Sequence, residues 1–104
     1  MEFEFSFSPI IHQNDLYAKN QLGGFVEVYT KGNFPDLTET DVVIIGVPEF
    51  RGTNTVGDEL SLSVIRQQFY NLYRGTERLR IADLGNILIG ENKSDTFQLL
   101  ADVL

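Results

Sequence analysis

The residues best placed to do chemistry lie in the stretch Glu49-Phe50-Arg51-Gly52-Thr53-Asn54-Thr55-Val56-Gly57. It follows a β-branched run and precedes a helical pattern, the position at which open α/β sheets bind ligands, outside the carboxyl ends of their strands. Arg51 could clamp a substrate carboxylate in two-point fashion, and with Asn54 it forms the loop's candidate substrate-binding pair. The ordinary role of such an exposed arginine is simply to be solvated. Gly52 and Gly57 have the glycine spacing of a Walker loop, but Asp58-Glu59 stand where Lys-Ser/Thr belong, and two carboxylates repel a phosphate. Nucleotide binding is disfavoured.

Other reactive residue types are scattered. Asp83 falls near the carboxyl end of a strand, where catalytic carboxylates often sit; its simpler role is to accept amides of the following loop. Arg66 lies in a helical pattern, where the default is a surface ion pair. His12 is the single histidine, with no carboxylate at metal-ligand spacing, and reads as a surface or capping residue. A serine triad lacks both a placed base and a nucleophile elbow. With no cysteine, thiol nucleophiles, disulfides and iron–sulfur clusters are excluded. The expectation is no catalytic residue and no metal ligand in this chain.

Composition narrows the partners. A formal charge of −7, with 8 basic against 15 acidic residues, opposes nucleic acid and anionic membrane surfaces, both of which are held by Lys and Arg. The 42% apolar content, with eight phenylalanines and four tyrosines, is that of a globular chain. Met1-Glu2-Phe3-Glu4-Phe5 lacks the basic start and apolar run of a signal peptide, and no stretch reaches the ~20 apolar residues of a membrane span. A soluble, cytoplasmic protein is expected.

Two portions must position these residues. Residues 1–40 read as an N-terminal arm of extended and helical pieces: Phe3, Phe5 and Phe7 alternate with polar residues, His12 to Gln21 suits a short helix with Asn14 as a cap, and Phe25–Tyr29 is rich in strand formers. Residues 41–104 read as a βαβα portion of an α/β domain. Val42-Val43-Ile44-Ile45-Gly46-Val47 has the continuous apolar character of a strand buried on both faces, ended by Pro48. A helix over 61–74 presents Leu62, Ile65, Phe69, Leu72 and Tyr73 on one face, with Ser61 able to cap its start and Gly75 its end. Leu79–Leu84 reads as the second strand, closing at Gly85-Asn86, so the two strands pair in parallel through a right-handed crossover. Ser94 or Asp95 can cap a last helix with Phe97, Leu100, Ala101 and Leu104 on one face. Two core strands cannot cover helices on both sides. The chain therefore reads either as a small complete domain starting from Phe25–Tyr29 or, the expectation adopted here, as a piece of a larger sheet.

Residues 42–90 taken together resemble the opening of the ureohydrolase superfamily: arginase, agmatinase and formimidoylglutamase. The matching pieces are Val43-Ile44-Ile45-Gly46-Val47-Pro48, Gly52-Thr53, Ile65-Arg66, Leu72 and, above all, Ile81-Ala82-Asp83-Leu84-Gly85-Asn86, in the family's order and spacing over about half the chain. Gly46-Val47-Pro48-Glu49-Phe50-Arg51-Gly52, and the lead-in ending Phe34-Pro35-Asp36-Leu37, lean toward formimidoylglutamase. Glu49-Phe50 and Ser61-Leu62 depart from the family's aromatic-aspartate and Gly-Pro. The resemblance implies a three-layer α/β/α hydrolase in which a manganese pair activates water against a guanidino or formimino carbon. It places the metal ligands after the point where this chain ends, so none maps onto a residue here. It implies a small-molecule substrate for the full-length protein and leaves room for a homo-oligomer. A free-standing α/β binding or interaction module, or a structural relative without metals, is the alternative.

Overall fold

In the computed structural model the structure describes residues 6–48, 59–75, 78–88 and 93–104. The chain is a mixed α/β protein built around one strand. In order come β1 (Phe7–Ser8), a 3-10 turn (Asn14–Leu16), α1 (Leu22–Phe25), β2 (Glu27–Val28), β3 (Val42–Gly46), α2 (Glu59–Tyr70), β4 (Ile81–Ile87) and α3 (Lys93–Val103). β4 is central. β2 pairs with it in parallel at Ala82 and Asp83, and β1 antiparallel at Asn86 and Ile87. β3 pairs in parallel with Ile81, Ala82, Asp83 and Asn86. Since β2 and β3 both meet Ala82 and Asp83, they occupy opposite edges of β4, and β1 continues the β2 side.

The β3–α2–β4 connection joins parallel neighbours, as the sequence pattern requires. The N-terminal segment contributes more than its composition suggests, because β1 and β2 are each only two residues long. Such strands carry no readable periodicity; their hydrogen bonds to β4, including Tyr29 N to Asp83 O (2.8 Å) and Leu88 N to Ser6 O (3.0 Å), hold them in place.

β4 does not stop at Gly85-Asn86, where the sequence pattern ends it. Between the partners of Ile44 and Gly46 it carries one extra residue, a bulge, and Gly85 within it has φ +78°. The extra residue resets the strand's alternation. Leu84 and Ile87 thereby share one cluster with Phe7, joined by Ile45, Val47, Tyr29, Phe34, Leu37 and Leu100 of α3. Asp83 and Asn86 both turn to the α2 side, where Val26, Val28 and Tyr70 pack with Ile10, Tyr17 and Ile81.

Three expectations are corrected here. β3 is not buried on both faces: Val42 and Val43 are exposed, Ile44 and Ile45 half-buried, and only Gly46 buried, because β4 is its sole partner among the described strands. The helix α2 ends at Tyr70, and Gly75 is not left-handed. Among its described side chains Arg66 and Tyr70 face inward, with Leu62 and Phe69 half-buried, while Ile65 is 62% exposed; Leu72 and Tyr73, past its end, are 56% and 65% exposed. Ile65→Ser should therefore move stability by no more than about 0.5 kcal/mol. Leu84→Ala, at a fully buried position, should cost about 2–5 kcal/mol. Paired thermal or urea melts of the two variants check this assignment of inside and outside.

Smaller corrections follow the same logic. Asn14 does not cap a helix; its Nδ2 donates to Gly23 O (3.1 Å) and Val26 O (3.0 Å), pinning α1. Phe25 belongs to α1, leaving Glu27–Val28 as the strand. Ser94 and Asp95 lie inside the first turn of α3 instead of before it, and Ala101 and Leu104 are exposed while Leu100 meets the core. Among the described residues no helix is long and apolar enough to cross a membrane.

Candidate functional site

The loop carrying Arg51 and Asn54 lies outside the described residues, as do Phe3 and Phe5. The chemistry that the structure does assemble is elsewhere, on the α2 face of β4. Arg66 and Tyr70 stand four residues apart on α2, one turn of the same face, and both reach down to Asp83.

Arg66 grips Asp83 through two parallel bonds, Nε to Oδ2 at 2.8 Å and Nη2 to Oδ1 at 3.1 Å. Its Nη2 also donates to Gly85 O (2.8 Å) and its Nη1 to Asn86 Oδ1 (2.7 Å). Asp83 takes two further donors, the Tyr70 hydroxyl on Oδ2 and Gly85 N on Oδ1 (2.9 Å). The carboxylate is wholly buried and the arginine nearly so. Gly46 of β3 completes the arrangement: a Cβ there would stand 2.1 Å from Asn86 Oδ1 and 2.8 Å from Arg66 Nη2. Only a residue without a side chain lets β3 pass the arginine fork.

Two readings from sequence change. Asp83 does accept the amide of Gly85, its ordinary role, but its principal partner is a guanidinium 17 residues upstream. Arg66 is not a surface ion pair. A buried pair of opposite charges is sustained only where geometry is good and the remaining lone pairs and protons are satisfied, and here four of the five guanidinium N–H groups have partners. The surface pairs are of another kind: Arg80 reaches Glu39 (2.6 Å) and Glu27 (3.5 Å) with about half or more of each side chain in water, and such pairs contribute at most about 1 kcal/mol.

The network fixes the protonation of Tyr70. Burial, and after it the charge of Asp83, push the phenol above its ordinary range. A group whose folded pKa exceeds its unfolded value near 10 keeps its proton in the native state after the unfolded chain has lost its own. Stability is therefore fully present below about pH 10 and falls as the pH rises beyond it. Tyr70→Phe should flatten this alkaline decline, measured as the denaturation midpoint from pH 9 to about 11, although the variant starts lower for want of one donor to Asp83.

His12 also lies on this side. Its Nε2–H donates to Gly23 O (2.9 Å), and its ring stacks on Tyr17 at 5.6 Å between centroids and meets the edge of Tyr70 at 4.8 Å. It is a fixed member of an aromatic cluster, not an isolated surface residue. No group of three or more His, Asp or Glu side chains converges among the described residues. The chain matches no family model, no curated protein and no solved structure.

Sequence reasoning missed the Arg66–Asp83–Asn86 unit because its members are separated along the chain. The local signals that mark it are the helical i, i+4 spacing of Arg66 and Tyr70 and the Asp-x-Gly-Asn phrase at the end of a strand.

Proposed function

We propose that the chain is the N-terminal scaffold of a ureohydrolase-like enzyme, a hydrolase of guanidino or formimino C–N bonds, with a partial three-layer arginase-like fold. Within that class the formimidoylglutamase branch fits best, on the phrase Gly46–Gly52 and the lead-in ending Phe34–Leu37. One observation carries the reading. Some of the pieces that bear the resemblance, Gly46, Arg66 and Asp83 with Asn86, are scattered over 41 positions of sequence, yet they interlock as a single buried unit. Residues that match a family's pattern and also depend on one another physically make a stronger case than the same matches dispersed over a surface.

The described residues do not suit a manganese pair. Asp83, the only buried carboxylate among them, is already occupied by a guanidinium, a hydroxyl and an amide; Arg66 has no lone pair to give, and the Asn86 oxygen is taken by Arg66. No step through a metal is assigned to this chain. Its role in the proposal is to carry β3 and β4 in parallel and to present the loop after β3 at their carboxyl ends, where the substrate-binding candidates Arg51 and Asn54 sit in sequence. A cytoplasmic, small-molecule enzyme follows from the same reading.

The reading frame is expected to continue past Leu104 into segments with Asp and His at strand ends. The longer product should retain about two manganese ions per chain after gel filtration, as the two-metal mechanism requires. The 104-residue chain should retain none. Stoichiometric manganese on the short chain, or none on the long one, contradicts the proposal.

A further inference from the structure

We propose that the cleft between the Pro9–Tyr17 segment and α2 is a binding site for a small molecule with a planar carbonyl oxygen, a carboxamide or a carboxylate. The cleft measures about 430 Å³, within the range of small-ligand sites. The inference does not rest on the enzymatic reading above.

The floor is made of donors. Asn86 is 5% exposed and lines the cleft. Arg66 can only donate, so its 2.7 Å bond identifies the Asn86 oxygen and turns the amide nitrogen the other way. Among the described residues that nitrogen has no partner, and it is not sealed from solvent, since Ser6 Oγ is the one sealed, unpartnered side-chain atom there. Asn86 thus brings to the wall of the cleft a buried, immobilised amide whose donor end is unmatched among the described residues. Arg66 also lines it, and among the described residues a fifth N–H, on Nη1, has no partner. These donors converge on the kind of acceptor that a carbonyl or carboxylate oxygen supplies.

Charge and shape select among acceptors. Asp83 already neutralises Arg66, so the floor donates hydrogen bonds without a net positive charge, which suits a neutral amide or a single carboxylate and not a phosphate. Above it the His12, Tyr17 and Tyr70 rings, held at 4.8–5.9 Å from one another, form an aromatic wall for the flat body of a ligand. The rim at Ser63 is exposed, giving access from solvent.

The test is a titration of the isotope-labelled full chain, followed by NMR, with benzamide, with benzoate and with benzylamine, which has the ring but no acceptor. Benzamide or benzoate should give saturable shifts with a dissociation constant on the order of 1 mM, confined to the Asn86 side-chain amide, residues 9–17 and the Ser63–Tyr70 turns; benzylamine should give none. Saturation by benzamide alone assigns the site to neutral amides, and by benzoate alone to carboxylates. Asn86→Asp, which exchanges the donors for an acceptor, should weaken binding at least about tenfold. Ser63→Trp, at the exposed rim, should block the cleft while preserving the spectrum elsewhere. Absence of saturable shifts up to about 20 mM, equal shifts with benzylamine, or undiminished binding by both variants overturns the proposal.

Discussion

Asp83→Ala is expected to lower the stability of the chain by about 3–5 kcal/mol, the cost of leaving a buried charge without its counter-ion. The loss has three parts. The guanidinium of Arg66 stays in place under α2 with nothing opposite it, and the hydroxyl of Tyr70 and the amide of Gly85 each lose their acceptor. A domain of this size has roughly 5–15 kcal/mol in total, so one carboxylate removes a large share, and the urea midpoint should fall by roughly 2 M at ordinary m-values. The pair itself is a different quantity. Replacing both members with apolar residues of similar volume, Arg66→Met with Asp83→Leu, should recover much of the loss, because it also removes the desolvation cost of both charges. A drop below about 1 kcal/mol for Asp83→Ala would mean that water reaches the carboxylate, contrary to its complete burial.

The second large effect belongs to the bulge. At Gly85 the backbone is left-handed, φ +78°, and an added Cβ would stand 2.1 Å from the carbonyl oxygen of Ser8 in β1. The conformational cost for a residue with a side chain is about 1–2 kcal/mol. The clash comes on top, against backbone that is itself bonded to β4, so it can be relieved only by displacing β1. Gly85→Ala should cost about 3 kcal/mol or more in all and should loosen β1 selectively, seen as faster amide exchange at Leu88, whose N–H is held by Ser6 O. Gly75→Ala is the control. Among the described residues nothing lies within 4 Å of its Cβ position, and its backbone is not left-handed, so it should be neutral or add up to about 1 kcal/mol.

These two sites also mark the boundary of what the sequence made legible. The β-branched run at Val42, the helix before Tyr70 and the strand at Ile81 carried strong local patterns, and each is present, with β3 and β4 parallel. The buried face of the helix departs from its pattern because hydrophobic periodicity rewards Ile65, Leu72 and Tyr73, whereas the sheet beneath α2 presents Asp83 and Asn86 and demands polar partners. A buried arginine looks the same in sequence as a solvated one; only its acid, 17 residues on across a crossover, distinguishes them. Gly85-Asn86 read as a strand end because glycine more often punctuates than bulges. β1 and β2 were illegible for another reason: two-residue strands are defined by what they pair with. The candidate loop from Glu49 to Gly57 owes its place in the account to sequence and to the resemblance alone.

Turnover tests the proposed hydrolase most directly. The product of the complete reading frame, loaded with manganese, should hydrolyse the formimino C–N bond of N-formiminoglutamate, releasing glutamate and formamide as water adds to the formimino carbon, with arginine and agmatine poorer substrates. Arg51→Ala should raise KM for that substrate more than it lowers kcat, as expected of a residue that binds a carboxylate without touching the reacting bond. A folded, manganese-loaded full-length protein that leaves all three compounds unchanged would contradict the account.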